Sequence, residues 1–150
     1  MRQMPHVLLV LTATVLLAAD KKDEKAELDK ANLQGTWELI GAEMGGQKSE
    51  EPLGAKLTFT GNKVIAKDKD GKVRQESTFK LDPTKNPKQM DVIVTRNEKT
   101  EVQEAIYSLD GDTLKVCGAE AGKPRPTKFK TKESGDAMLL VLKRVKSQDK

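Results

Sequence analysis

Leu33-Gln34-Gly35-Thr36-Trp37-Glu38-Leu39-Ile40 marks the start of a regular strand pattern, and it holds the only tryptophan of the 150-residue chain. A charged segment precedes it. From Leu33 onward, apolar residues recur with period two, and turn residues interrupt them at intervals of roughly 8–12 positions, which is typical of short antiparallel strands in a sandwich or barrel. The stretch therefore predicts the first strand of a small β-barrel, with Trp37 plugging one end.

The same alternation predicts eight or nine strands along the chain. Because most connections between them are short, an up-and-down barrel is favoured over a Greek-key sandwich, and closure also removes exposed sheet edges. The predicted fold class is all-β, an antiparallel up-and-down β-barrel of about eight strands with a short N-terminal helix. The predicted strands are 35–44, 56–60, 63–67, 73–81, 89–95, 102–109, 113–117, 127–131 and 137–144.

The N-terminus has the pattern of a secretory signal peptide. Arg2 supplies a positive charge, an apolar run covers 7–17, and Ala18-Ala19 precede charged residues. The run is shorter than the roughly 20 apolar residues that span a bilayer. We therefore expect cleavage after Ala19, export to the periplasm or the extracellular space, and no membrane span in the mature chain. An uncleaved N-terminal anchor is the alternative.

Four segments follow from this organisation. Residues 1–19 form the predicted signal peptide, and 20–32 form a charged leader that is either a short helix or disordered. A barrel domain is predicted over 33–145, and a disordered tail over 146–150. We expect the mature chain to be a monomer.

Residue usage argues against several function classes. The net charge of +4 comes from 27 basic and 23 acidic residues that are mixed along the chain, so we expect no nucleic-acid partner. The only histidine, His6, leaves with the signal peptide, which removes histidine-dependent nucleophiles and the usual zinc sites. Cys117 is the only cysteine, so we expect a buried, inert thiol. No enzymatic activity, cofactor or metal is expected.

Aspartates close two predicted turns. Asp68-Lys69-Asp70-Gly71 and Asp110-Gly111-Asp112 share residues with calcium-binding loops, but the full loop and its distal glutamate are missing. Hairpin turns explain both stretches better than a metal site does.

The first and last predicted strands carry a resemblance to a known barrel arrangement. Gly35-Thr36-Trp37 and the closing Leu142-Lys143-Arg144 are similar to the lipocalin or calycin pattern. That resemblance implies a structural pair at the barrel floor, in which Arg144 lies over the Trp37 ring in a cation–π contact of about 0.5–2 kcal/mol.

Over 30–144 the chain also resembles a family of small secreted domains of unknown function that is expanded in planctomycete bacteria. This resemblance implies an exported lipocalin-like domain, and it supplies no catalytic residues. The motifs that carry it are 33–39, 81–88, 109–117, Arg125-Pro126-Thr127 with Phe129, and the closing Leu-Lys-Arg.

The barrel interior is the first candidate site. Eight strands leave room for side chains or for one small ligand, and the same apolar residues would line a pocket or fill a core, so both alternatives stay open. The residues predicted to face inward are Leu39, Leu57, Phe59, Phe79, Val92, Ile106, Leu114, Phe129 and Leu140.

A basic cluster between Gly118 and Lys132 is the second candidate site. It could be a patch that binds a polyanion. The preferred interpretation is an exposed strand whose lysines face outward and discourage pairing between sheets. Its members are Lys123, Arg125, Lys128, Lys130 and Lys132.

The leading functional hypothesis is a non-enzymatic, exported, lipocalin-like binding module that holds a small apolar ligand. The alternative is a solid-barrel interaction protein that binds a cell-surface protein or a polyanionic polysaccharide through its rim loops. A carboxylate-dependent hydrolase ranks last, because the acids fall mainly in turns and on outward positions. A cavity above roughly 300 Å³ favours the first hypothesis, since ligand pockets begin near that size.

Overall fold

The computed structural model describes residues 14–132 and 136–147. Most of the predicted signal peptide, including Arg2 and His6, lies outside the described residues, as does the end of the predicted tail. The elements are α1 (Thr14–Leu33), β1 (Gly35–Met44), β2 (Gln47–Lys48), β3 (Lys56–Thr60), β4 (Lys63–Lys67), β5 (Val73–Asp82), β6 (Lys88–Arg96), β7 (Lys99–Asp110), β8 (Thr113–Ala119) and β9 (Ala137–Arg144).

Eight of these strands form one closed antiparallel barrel. From β3 to β9 each strand pairs with the next in the chain, and β1 pairs with both β3 and β9, which closes the ring. The two-residue strand β2 only extends the end of β1, where Met44 pairs with Gln47. The predicted all-β, up-and-down barrel with an N-terminal helix is confirmed.

The predicted strand at 127–131 is wrong. In the structure, residues 120–132 contain no strand, and β8 pairs directly with β9 from Ala119 and Ala137 to Thr113 and Lys143. That pairing leaves no sheet edge for a further strand. Pro124 and Pro126 directly precede the predicted strand and lack the N–H donors that a strand needs. We call residues 120–132 the outer segment.

The helix meets the barrel just before Trp37. It ends at Leu33, and Gly35 then turns the chain into β1 with φ of 110°, a left-handed conformation that glycine tolerates best. The Gln34 side chain donates to the Gly61 carbonyl oxygen and accepts from the Gly61 N–H, at 3.0 and 2.7 Å. These contacts tie the helix end to the β3–β4 turn.

The barrel therefore has two different ends. At the closed end, α1 contacts the end of β5 through Lys22, the start of β6 through Asp29 and the end of β9 through Asn32. The antiparallel order places the ends of β1, β4, β6 and β8 at the open end. No helix in the described part of the chain is both long and apolar enough to cross a membrane.

Candidate functional site

Trp37 and Arg144 seal the closed end. The structure brings them together: the Arg144 guanidinium lies 4.2 Å from the centroid of the Trp37 ring. The indole N–H donates to the Leu33 carbonyl oxygen at 2.8 Å, and the guanidinium donates to the carbonyl oxygens of Gln34 and Asn32 at 2.9 and 2.6 Å. The pair thereby joins the helix to the first and last strands and covers this end of the barrel.

A second group of contacts joins the helix to the barrel, and the sequence did not predict it. Its members are Asp29, Lys88 and Tyr107. The Tyr107 hydroxyl donates to the Asp29 carboxylate at 2.6 Å, and the Lys88 ammonium lies 2.8 Å from the same oxygen. Asp29 and Tyr107 are both buried. Burial, and then the hydrogen bond to the Asp29 carboxylate, raise the pKa of Tyr107 above its usual range.

The raised pKa of Tyr107 gives a direct spectroscopic prediction, because this is the only tyrosine of the chain. A phenol whose pKa is raised on folding stays protonated in the native state at pH values where the unfolded chain has ionised near pH 10. The free energy of unfolding therefore falls as pH rises above about 10. At about pH 11, the ultraviolet absorbance of the folded protein should therefore show no tyrosinate. The tyrosinate signal should appear only when the protein unfolds. A native-state transition near pH 10 would contradict the burial of Tyr107.

A cavity of about 580 Å³ occupies the barrel towards the open end. Phe59 lies at its base and contacts Phe79 edge to face, with the ring centroids 5.3 Å apart. Apolar side chains from most of the strands line the walls. They include Leu57, Val64, Met90, Val92, Val116 and Leu140.

Seven of the nine residues predicted to face inward belong to the interior, at two levels. Leu57, Phe59, Val92 and Leu140 line the cavity. Leu39, Phe79 and Leu114 lie in the packed core beside it and do not line it. The interior is thus partly filled and partly open, and the two alternatives that the sequence left unresolved are both present.

The prediction that Ile106 and Phe129 face the barrel interior is wrong. Ile106 is buried, but its neighbours Ala105 and Tyr107 belong to the interior core, so strand alternation places Ile106 on the outer face. It pairs there with Cys117. Phe129 is part of the outer segment and neither lines the cavity nor belongs to the core. Both faces of β7 are apolar here, because the outer segment covers the outside.

Arg125 anchors the outer segment rather than presenting a free positive charge. Its guanidinium donates to the carbonyl oxygens of Met90 and Ala105 at 3.1 and 2.7 Å, and to the carboxylates of Asp91 and Glu104 at 2.5 and 3.2 Å. The expectation that Arg125 belongs to an exposed basic cluster is therefore wrong. The cluster members that remain exposed are Lys123, Lys128, Lys130 and Lys132.

The same segment covers Cys117. The thiol is fully buried, and its sulfur lies 3.8 Å from the Lys130 carbonyl oxygen. Burial raises the pKa of the Cys117 thiol, which keeps it in the unreactive protonated form. Thr131 holds the end of the segment, since its hydroxyl donates to the Glu43 carboxylate at 2.6 Å.

Polar side chains mark the mouth of the cavity. Arg96 donates to the Gln75 side-chain oxygen at 2.9 Å, and the Gln75 amide donates to the Ser77 hydroxyl at 3.0 Å. All three line the cavity. They form a chain of hydrogen bonds that runs from the exposed Arg96 to the buried Ser77.

Arg74 also lies at the mouth, but its charge is already balanced. It forms an ion pair with Asp68 at 2.7 Å. Asp68 closes the β4–β5 turn, where it accepts hydrogen bonds from the backbone N–H groups of Asp70 and Lys72. These bonds, with the Arg74 guanidinium, hold the pKa of Asp68 below its usual range. The Asp68 side chain therefore stabilises the β4–β5 turn.

Within residues 14–132 and 136–147, no group of three or more histidine, cysteine or acidic side chains is placed to hold a metal ion. A scan against protein-family models finds no match for the chain, and searches of curated proteins and of solved structures find none either. The cavity and its mouth are therefore the features from which a function can be inferred.

Proposed function

We propose that this protein is a binding module that carries a small, largely apolar ligand inside its barrel. The observation that supports this proposal is the cavity of about 580 Å³, which is walled by apolar side chains and open at one end. Ligand sites are usually concave, mostly apolar and about 300–1,000 Å³ in volume. The alternative, a solid barrel that acts through its rim loops, has no comparable observation in its favour.

The physical driving force is the removal of apolar surface from water. Each methylene group that a ligand buries in such a cavity contributes about 0.8 kcal/mol. The cavity walls are held by a closed ring of backbone hydrogen bonds, and the opposite end is sealed by Trp37 and Arg144. A preformed site of this kind costs little to organise on binding.

The proposal includes export and the absence of catalysis. Its support is the sequence: an apolar run at 7–17, followed by Ala18-Ala19 and a charged leader, and no histidine after His6. Membership of the planctomycete family of secreted lipocalin-like domains and a monomeric state are parts of the same proposal.

A pair of variants on β6 tests whether an apolar probe binds inside the barrel. Val92 lines the cavity, whereas its neighbour Ile93 lies on the outer face of the same strand. We expect Val92→Trp to fill part of the cavity and to weaken the binding of Nile red at least about tenfold, because the probe loses buried area. Ile93→Trp should bind Nile red within about twofold of the wild type. Fluorescence titration measures both affinities.

Two outcomes would contradict the proposal. Equal binding of Nile red to both variants would place the probe outside the barrel. No binding to the wild-type protein would favour the solid-barrel alternative. Far-UV circular dichroism of each variant checks that the barrel is still folded.

A further inference from the structure

The polarity of the cavity changes sharply between its base and its mouth. The base and walls are apolar, from Phe59 and Met90 upward. At the mouth, Arg96 is the last residue of β6 and lies at the tip of the β6–β7 hairpin, next to Gln75 and Ser77. A ligand that fills the cavity would therefore place an apolar part inside and a polar part at Arg96.

Arg96 is available to such a ligand. Among the residues that the structure describes, it forms no ion pair, whereas Arg74 at the same mouth is paired with Asp68. A guanidinium has five donors in a planar fork, and its bond to Gln75 uses one of them. The remaining donors suit the two oxygens of a carboxylate, which a guanidinium binds in a bidentate manner.

The other side of the mouth limits the charge of the ligand head. Glu120 and Asp136, which follow β8 and precede β9, are exposed there and line the cavity. Both carboxylates repel a negatively charged head, and they repel the two charges of a phosphate monoester more strongly than the single charge of a carboxylate. Among anionic heads, the mouth therefore favours one with a single charge.

The length of the cavity limits the apolar part. Met90 and Arg96 are six positions apart on β6, which is about 20 Å along the strand and about 15 Å along the barrel axis for the usual strand tilt. A volume of about 580 Å³ suits a single acyl chain.

We propose that the ligand is a single-chain amphiphile with a carboxylate head, bound with its chain in the barrel and its head at Arg96 and Gln75. This inference rests on the proposed function and adds the ligand class. The nearby Ser77 extends the polar wall inward, and the Gln103 side chain lines the same cavity.

Isothermal titration calorimetry with dodecanoate and with dodecanol tests the head-group assignment. The protein used is the form purified from its own host. We expect dodecanoate to bind the wild type, and Arg96→Gln to weaken it about tenfold or more, because a charge-assisted pair is lost. Dodecanol should bind both forms within about twofold. Arg74→Gln is the matched control, since it removes one positive charge from the same mouth, and its dodecanoate affinity should change less than about threefold.

The outcomes separate this inference from the proposed function. If dodecanol binds and dodecanoate binds Arg96→Gln as tightly as the wild type, the head-group assignment is overturned while the apolar cavity retains its role. If neither dodecanoate, dodecanol nor Nile red binds the wild type, the proposed function fails, and this inference fails with it. Arg96 is exposed at a hairpin tip, so its replacement leaves the barrel folded.

Discussion

Replacement of Trp37 by alanine is expected to lower the free energy of unfolding by about 3–5 kcal/mol, the usual cost of truncating a buried aromatic residue. Trp37 is fully buried, donates to the Leu33 carbonyl oxygen and lies under the Arg144 guanidinium. Its removal would leave a void between the helix and the barrel and would uncover the closed end. Native domains are stable by only about 5–15 kcal/mol, so this single change removes a large share.

Urea denaturation followed by far-UV circular dichroism measures this effect, because the variant lacks the only tryptophan fluorophore. Ile40→Ala on the same strand is the matched control. Its side chain is 52% exposed, so we expect a change within about 0.5 kcal/mol. A loss below about 1 kcal/mol for Trp37→Ala would show that the barrel floor does not depend on this residue.

Replacement of Asp29 by alanine is expected to cost about 2–4 kcal/mol. The change leaves the buried Tyr107 hydroxyl without its acceptor and the Lys88 ammonium without its partner. Lys88 is partly exposed, so water compensates for part of its loss. The larger share of the cost comes from Tyr107. Urea denaturation again gives the free energy of unfolding.

A double-mutant cycle separates the hydrogen bond from other effects. We expect a coupling of about 1–2 kcal/mol between Asp29→Ala and Tyr107→Phe. Glu27→Ala on the same helix is the control, because the Glu27 side chain is 73% exposed and should change stability by less than about 0.5 kcal/mol. Equal effects of Asp29→Ala and Glu27→Ala would mean that the helix is not packed on the barrel.

The strands could be predicted from the sequence because their signals are local. The period-two alternation and the turn residues set the bounds of the strands at 35–44, 56–60, 63–67 and 137–144, which match the structure. The predicted strand at 127–131 failed because Lys128, Phe129 and Lys130 have the alternation of an edge strand. In the structure, β8 pairs with β9 and leaves no edge for a further strand. A local pattern does not encode this long-range pairing.

The residues of the site were harder to predict, for two reasons. The contact between Asp29 and Tyr107 joins positions 78 apart in the sequence, and no local pattern marks it. Gln75 and Ser77 did carry a signal, since alternation places them on the same face as Phe79. A prediction of inward residues from apolar side chains alone passes over such a polar mouth. Ile106 was misplaced because both faces of its strand are apolar.

Ligand binding inside the barrel is best tested by native mass spectrometry of the protein purified gently from its own host. We predict a reproducible additional mass that disappears on denaturation, and that additional mass identifies the class of ligand. A clean mass of the protein alone, together with no uptake of dodecanoate or Nile red, would show that the barrel is not a carrier.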